Sequence, residues 1–167
     1  VVPVRTRRDR HAFVEFPYTL YKGHEHWIPP LRRDESRRLS ASHNPFFEHA
    51  EMALWLARAN GVVVGRIAAI EDRLHDEKHG ERVTWFGFFE AANADVTDAL
   101  LRTVEAHARA PGSAIVRGPA NPSLNESAGL LIDCFDEDPS ILMPYNPADY
   151  VRWIEAAGYR KAKDLLA

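Results

Sequence analysis

Cysteine is nearly absent: Cys134 is the only one in 167 residues. No internal disulfide can form, and the natural setting is a reducing, cytoplasmic compartment. Cys134 follows the mostly apolar stretch from Gly129 to Asp133, with no base evident nearby in sequence. A small buried core position is expected for it rather than a nucleophile. No run approaches the ~20 apolar residues of a membrane span, and no signal-peptide pattern opens the chain. There is no internal repeat and no low-complexity stretch. No excess of one charge is present either: 21 Lys+Arg stand against 24 Asp+Glu, a net of −3. The whole-chain field therefore gives no reason to expect nucleic acid, and the basic-aromatic interleaving that grips single strands is missing.

What remains is an ordinary globular composition, 46% hydrophobic and 27% charged in 18.9 kDa. A chain of this mass can bury about 70% of its extended surface, enough for one core. Residues 1–167 read as a single domain. The chain opens Val1-Val2-Pro3 without Met, so it is expected to be trimmed or to be the N-terminal part of a longer protein. The charge is uneven. Residues 1–40 carry nine Lys/Arg against five Asp/Glu, and residues 121–167 carry four against eight. The arginines at 5, 7, 8, 10, 32, 33, 37 and 38 read as solvated helix faces before they read as an anion site.

The pattern predicts a β-prone run at 2–6, a helix at 8–21 that Pro17 kinks or ends, and a charged helix at 31–40. Between them, 24–30 is a loop anchored by Trp27. Strands at 51–59 and 62–71 flank Asn60-Gly61, the strongest short hairpin signal. Both faces of the first strand are apolar, Met52, Leu54 and Leu56 on one and Trp55, Ala57 and Ala59 on the other, so both faces of the sheet need cover. Residues 73–81 are expected as a polar loop. A strand at 82–90, a helix at 95–110 and a strand at 113–118 form a strand–helix–strand unit, which implies a right-handed parallel crossover. Asn93 or Asp95 caps that helix, and Pro111-Gly112 stops it. An irregular strand is expected at 129–135, a helix at 147–157 and a strand at 159–167. The fold class is α/β (α+β): a mixed, mostly antiparallel sheet with helices on both faces.

That order resembles the GNAT superfamily of acyl-CoA-dependent N-acyltransferases. The runs NPFFEHAE, GRIAAIED, WFGFFE, RGPANPSLNESAGLL, MPYNP and AAGYRKAKDLLA are similar to those of a group of bacterial GNAT-like proteins. The resemblance implies transfer of an acyl group from acetyl-CoA or another acyl-CoA to an amine. It places the CoA pyrophosphate at the turn entering the 95–110 helix, where glycines let backbone amides close on phosphate. The residues there are Phe89, Glu90, Ala91, Ala92, Asn93, Ala94 and Asp95, without glycine, Arg or Gln. Glu90, Asp95 and Asp98 favour the helix start and repel a diphosphate, so this turn reads as a capped structural helix.

In many members of the superfamily a Tyr four residues before a Gly-Phe pair protonates the departing thiolate. Here the pair is Gly158-Tyr159 and that position is Ile154. Tyr145 and Tyr150 are the remaining candidates for the acid. The loop 118–127 is the candidate for the acceptor, with Asn121, Ser123 and Asn125 as substrate-binding groups and Glu126 as the general base. Its Asn and Ser side chains equally suit a turn that satisfies its own backbone. His75 and His79 have helical zinc-ligand spacing but no Glu between them in the zincin arrangement, and no metal site is expected. Two readings stand side by side: an N-acyltransferase acting on a small-molecule amine, and a non-catalytic GNAT-like module that binds another ligand or partner. Partner contact, as a homodimer or with a second GNAT-like domain, belongs to both.

Overall fold

The computed structural model describes residues 1–110 and 112–165. Five strands form one sheet in sequence order: β1 (Val2–Pro3), β2 (Ala50–Ala59), β3 (Val62–Asp72), β4 (Val83–Ala91) and β5 (Ile115–Arg117). The first four pair antiparallel, and β4 pairs β5 parallel. A separate ribbon joins β6 (Ala120–Asn121) to β7 (Ser127–Ala128). Helices α1 (Arg7–Leu20), α2 (Arg32–Arg38), α3 (Arg73–His79), α4 (Ala94–Ala108) and α5 (Asp149–Ala156) complete the fold, with a 3-10 turn at Pro45–Glu48.

The expected mixed sheet covered on both faces is present. One core packs Phe13 and Val14 of α1 on Leu54, Leu56, Ala68, Ile70, Trp85 and Phe88. The other packs Leu100, Leu101 and Val104 of α4, with Tyr150 and Ile154 of α5, on Ala57, Ile67, Phe86 and Phe89. Asn60 and Gly61 turn the β2–β3 hairpin with φ of 51° and 82°, the double positive φ that such a turn requires. Asn93 caps α4, accepting the Val96 N–H at 3.0 Å.

Several elements differ from the sequence expectation. Residues 73–79 are α3, not loop: Asp72 accepts the N–H groups of Leu74 and His75, and Gly80 closes the helix at φ 63°. Capping at both ends outweighed the polar composition. Pro17 does not end α1, which runs on to Leu20; the Phe13 carbonyl that its missing N–H leaves free accepts from Arg66 Nη1 at 2.9 Å. The β1 run shrinks to two residues and β5 to three. No strand forms at 129–135, since pairing stops at Ala128, and none forms at 159–165. The remainder of the expected last strand, 166–167, and Pro111 lie outside the described residues. Cys134 is exposed rather than buried, on a loop at φ 56°.

The surface totals 10,166 Å², about 20% above the scaling value of ~8,300 Å² for this mass. In the irregular stretch 129–148, Ile132, Ile141 and Leu142 are half or more exposed.

Candidate functional site

The site begins with a bulge. Arg66 opposes Glu90 and Ala68 opposes Gly87, so Ile67 alone faces Phe88 and Phe89. Phe88 takes φ 48°, a left-handed conformation that a bulky residue rarely adopts. The extra residue reverses the alternation. Phe88 turns toward α1 and Phe89 toward α4 and α5. Glu90 consequently shares the α1 face with Arg66, its partner on β3. Without the bulge its carboxylate would lie on the opposite face.

The bulge also coincides with the parting of β4 from β5. Strand β5 pairs only Val83, Thr84 and Trp85. Beyond them the β4 edge is met by side chains. Asn121 Oδ1 accepts the Phe88 N–H, and the Tyr150 hydroxyl accepts the Ala91 N–H at 2.8 Å. Over Gly87 the backbone of β6 approaches so closely that a Cβ there would stand 1.7 Å from the Ala120 carbonyl oxygen.

Glu90 is the hub. Its side chain is 12% exposed. Oε2 accepts hydrogen bonds from the hydroxyls of Tyr21 and Tyr150, the latter at 3.0 Å. Oε1 lies 3.9 Å from Arg66 Nη2. Burial raises the Glu90 pKa to about 7, against the opposing pull of Arg66 and both phenols, while Glu35 of α2 adds to the rise. Tyr21 and Tyr150 are pushed well up by burial and then by the Glu90 charge, so both remain hydrogen-bond donors. The cluster thus holds a carboxyl that changes charge near neutral pH between two phenols that do not.

An aromatic group covers the cluster. The Tyr21 ring lies 5.2 Å from Trp27, 5.4 Å from His24 and 5.3 Å from Tyr145. His24 Nδ1 and the Tyr145 hydroxyl are 3.0 Å apart. Loop 24–30 and the segment before α5 meet here.

The residues singled out from sequence separate into three groups. Glu90, Tyr150 and, one ring further out, Tyr145 come together, and Asn121 sits on the same strand edge. Glu90 belongs to β4, with its side chain largely but not fully enclosed, and is not part of the turn at the helix start; Phe89 is core. Tyr150 is 1% exposed, so its hydroxyl is not at the surface. Ser123, Asn125 and Glu126 form their own turn, with Ser123 accepting the N–H groups of Asn125 and Glu126 at 3.2 Å each. The Glu126 carboxylate pairs with Arg38 at 3.0 Å and is 38% exposed.

Ala92, Asn93, Ala94 and Asp95 form the α4 start. The amides of Ala92, Val96 and Thr97 already donate to Val64 O, Asn93 Oδ1 and Asn93 O. The turn lacks the glycines that the resemblance implies and carries the Asp95 carboxylate in the first turn of α4, which disfavours a diphosphate there. Sequence reasoning overlooked Tyr21, Glu35 and Arg66. The available signal was a charge at an inward register, Arg66 within GRIAAIED and Glu35 within the α2 arginines. Among the described residues no group of three or more His, Cys, Asp or Glu is placed to hold a metal ion. No helix there is long and apolar enough to cross a membrane.

The architecture is the GNAT-type acetyltransferase fold. Two solved structures share it over 99% of this chain. One, described as a probable acetyltransferase, aligns with TM-score 0.54 at 13% identity over 93% of its own chain. The other, described as a "Putative acetyl transferase from Pyrococcus furiosus", aligns with TM-score 0.55 at 17% identity over 95% of its chain. Two relatives are similar in sequence. "Protein YghO" of Escherichia coli (strain K12) is 38% identical over 162 residues, 96% of this chain and 41% of that protein. "Bacterial ceramide synthase" of Caulobacter vibrioides (strain NA1000 / CB15N) is 38% identical over 169 residues, 100% of this chain and 44% of that protein. The chain therefore spans less than half the length of the curated relatives it matches. No protein-family model matches it.

Proposed function

We propose that the protein is an N-acyltransferase that moves an acyl group from a thioester, such as an acyl-CoA, to an amine, with Glu90 as the general base. The observation that carries this reading is the buried Glu90 carboxyl beside the parted β4 edge, poised to change charge near pH 7. Oε2 is taken by two phenols, so Oε1 is the atom that accepts the amine proton. The amine nitrogen attacks the thioester carbonyl carbon. The C–S bond breaks as the amide forms, and Tyr150 supplies the proton to the departing thiolate. The protonated carboxyl then turns to present its Oε1 proton to the Tyr150 oxygen, which has just lost its own, so no proton is gained or lost by the protein. Ceramides are amides of long-chain amino alcohols, and the name of the Caulobacter relative supports a lipid amine as the acceptor. Proteins as long as the two relatives have room for a second domain beside this one, and the proposal extends to a two-domain enzyme.

The test is amide formation from palmitoyl-CoA and a long-chain 2-amino alcohol, followed by mass spectrometry. Glu90→Gln and Glu126→Gln are compared with the wild type. Loss of turnover in Glu90→Gln alone supports the assignment. Loss in Glu126→Gln alone returns the base to the 118–127 loop. The second reading, a non-catalytic module, is favoured by one observation, the unsuitable α4 turn. Its outcome is no amide from any thioester.

A further inference from the structure

Arg66 caps the Phe13 carbonyl that Pro17 leaves without a helical donor, but the rest of its buried guanidinium is poorly satisfied. It rises from the middle of β3 and is 5% exposed. Nη1 donates to the Phe13 carbonyl at 2.9 Å. Nη2 stands 3.9 Å from Glu90 Oε1, beyond the roughly 2.7–2.9 Å of a charge-assisted hydrogen bond. Nε is buried with no hydrogen-bond partner among the described residues. The guanidinium carbon lies 5.1 Å from the Phe13 ring and 5.9 Å from the Phe88 ring. A buried donor without an acceptor is costly, and a buried ion pair with imperfect geometry is often replaceable by an apolar side chain without loss of stability. A residue that violates local economy in this way points to function.

We propose that Arg66 is a positioning residue for acyl transfer: it holds Glu90 Oε1 ionised and turned toward the incoming amine, while Tyr21 and Tyr150 hold Oε2. The inference rests on the transferase reading. Four elements contribute a group to this balance. Arg66 comes from β3, Tyr21 from the end of α1 and Tyr150 from α5, and all three favour the charged carboxylate. Glu35, on α2 and paired with Arg38 at 3.0 Å, opposes it. Arg66 is the only positive charge in direct ion-pair range of Glu90 among the described residues, so removing it leaves burial and Glu35 less opposed.

The test compares Arg66→Met and Arg66→Lys with the wild type. Two quantities are followed from pH 5 to pH 9. One is kcat/KM for amide formation from palmitoyl-CoA. The other is the 13C titration of the Glu90 carboxyl in glutamate-labelled protein, its signal assigned by its loss in Glu90→Gln. In Arg66→Met both midpoints move up by about one pH value, so activity at pH 7 drops several-fold and recovers by pH 9. Arg66→Lys restores much of the midpoint because the charge is kept. An unmoved midpoint in Arg66→Met, or an equal loss at every pH, overturns the proposal. If Arg66→Met does not fold, the proposal stands only if Arg66→Lys keeps a midpoint near that of the wild type. A wild type that makes no amide ends the transferase reading, and the carboxyl titration then decides by itself whether Arg66 governs the Glu90 charge.

Discussion

Glu90→Gln reports on the buried carboxyl through stability as well as turnover. In the unfolded chain Glu90 ionises near 4.5, and in the fold it holds its proton to about 7. Between those values the folded protein binds more protons than the unfolded chain. A folded pKa raised above the unfolded value means that this contribution is fully present below pH 4.5 and is lost as pH rises toward 7. The displacement corresponds to about 3 kcal/mol over the window. Glutamine nearly matches the protonated carboxyl in shape and does not titrate. The variant and the wild type therefore have similar stability at pH 4.5, and the variant is more stable at pH 8 by up to about 3 kcal/mol. For a chain of this size that is roughly 6–12 °C in Tm. The assay is thermal and urea denaturation of both proteins from pH 4.5 to pH 8.5. Parallel stability curves would refute the reasoning, because Glu90 would then have the same pKa folded and unfolded.

Three further outcomes follow from the same geometry. Tyr150→Phe slows transfer from an alkyl thioester such as acyl-CoA by about 100-fold and transfer from an aryl thioester far less, because an aryl thiolate leaves without an acid; equal losses measured with both donors would deny Tyr150 that role. Gly87→Ala destabilises the fold by about 3 kcal/mol or more in urea denaturation, since its Cβ would meet the Ala120 carbonyl oxygen at 1.7 Å; a variant of wild-type stability would mean that the ribbon carrying Asn121 does not pack on β4. A pantetheine thioester without the diphosphate is used with kcat/KM within about tenfold of the acyl-CoA, as the α4 turn gains little from phosphate; a drop of about 1,000-fold, or 4 kcal/mol, would show that phosphate is held after all.

The fold was largely legible because its signals are local. The Asn60-Gly61 turn, the two-faced apolar strands and the period of α4 each depend on neighbours in sequence. The site was less so. Glu90 lies in a run whose strict alternation puts it on the α4 side. The bulge at Phe88 turns it to the other face, and a bulge fixed by packing on Phe13 leaves no mark in WFGFFE. Tyr21 and Arg66 reach Glu90 from separate elements, 69 and 24 residues away in the chain. The 118–127 loop attracted attention through its density of polar side chains, yet density does not distinguish a turn bonding to itself from a pocket. Ser123, Asn125 and Glu126 form the turn, while Asn121 meets the strand edge. The α3 error had a readable remedy: Asp72 and Gly80 bracket seven residues with a cap at each end.

The central claim is that one buried carboxylate, Glu90, takes the amine proton. The pH dependence of kcat/KM for amide formation tests it most directly. The wild type should lose activity below a midpoint near pH 7, and Glu90→Gln should keep only a residual rate, about 100- to 10,000-fold lower, without that limb. The same limb persisting at undiminished rate in Glu90→Gln would contradict the account.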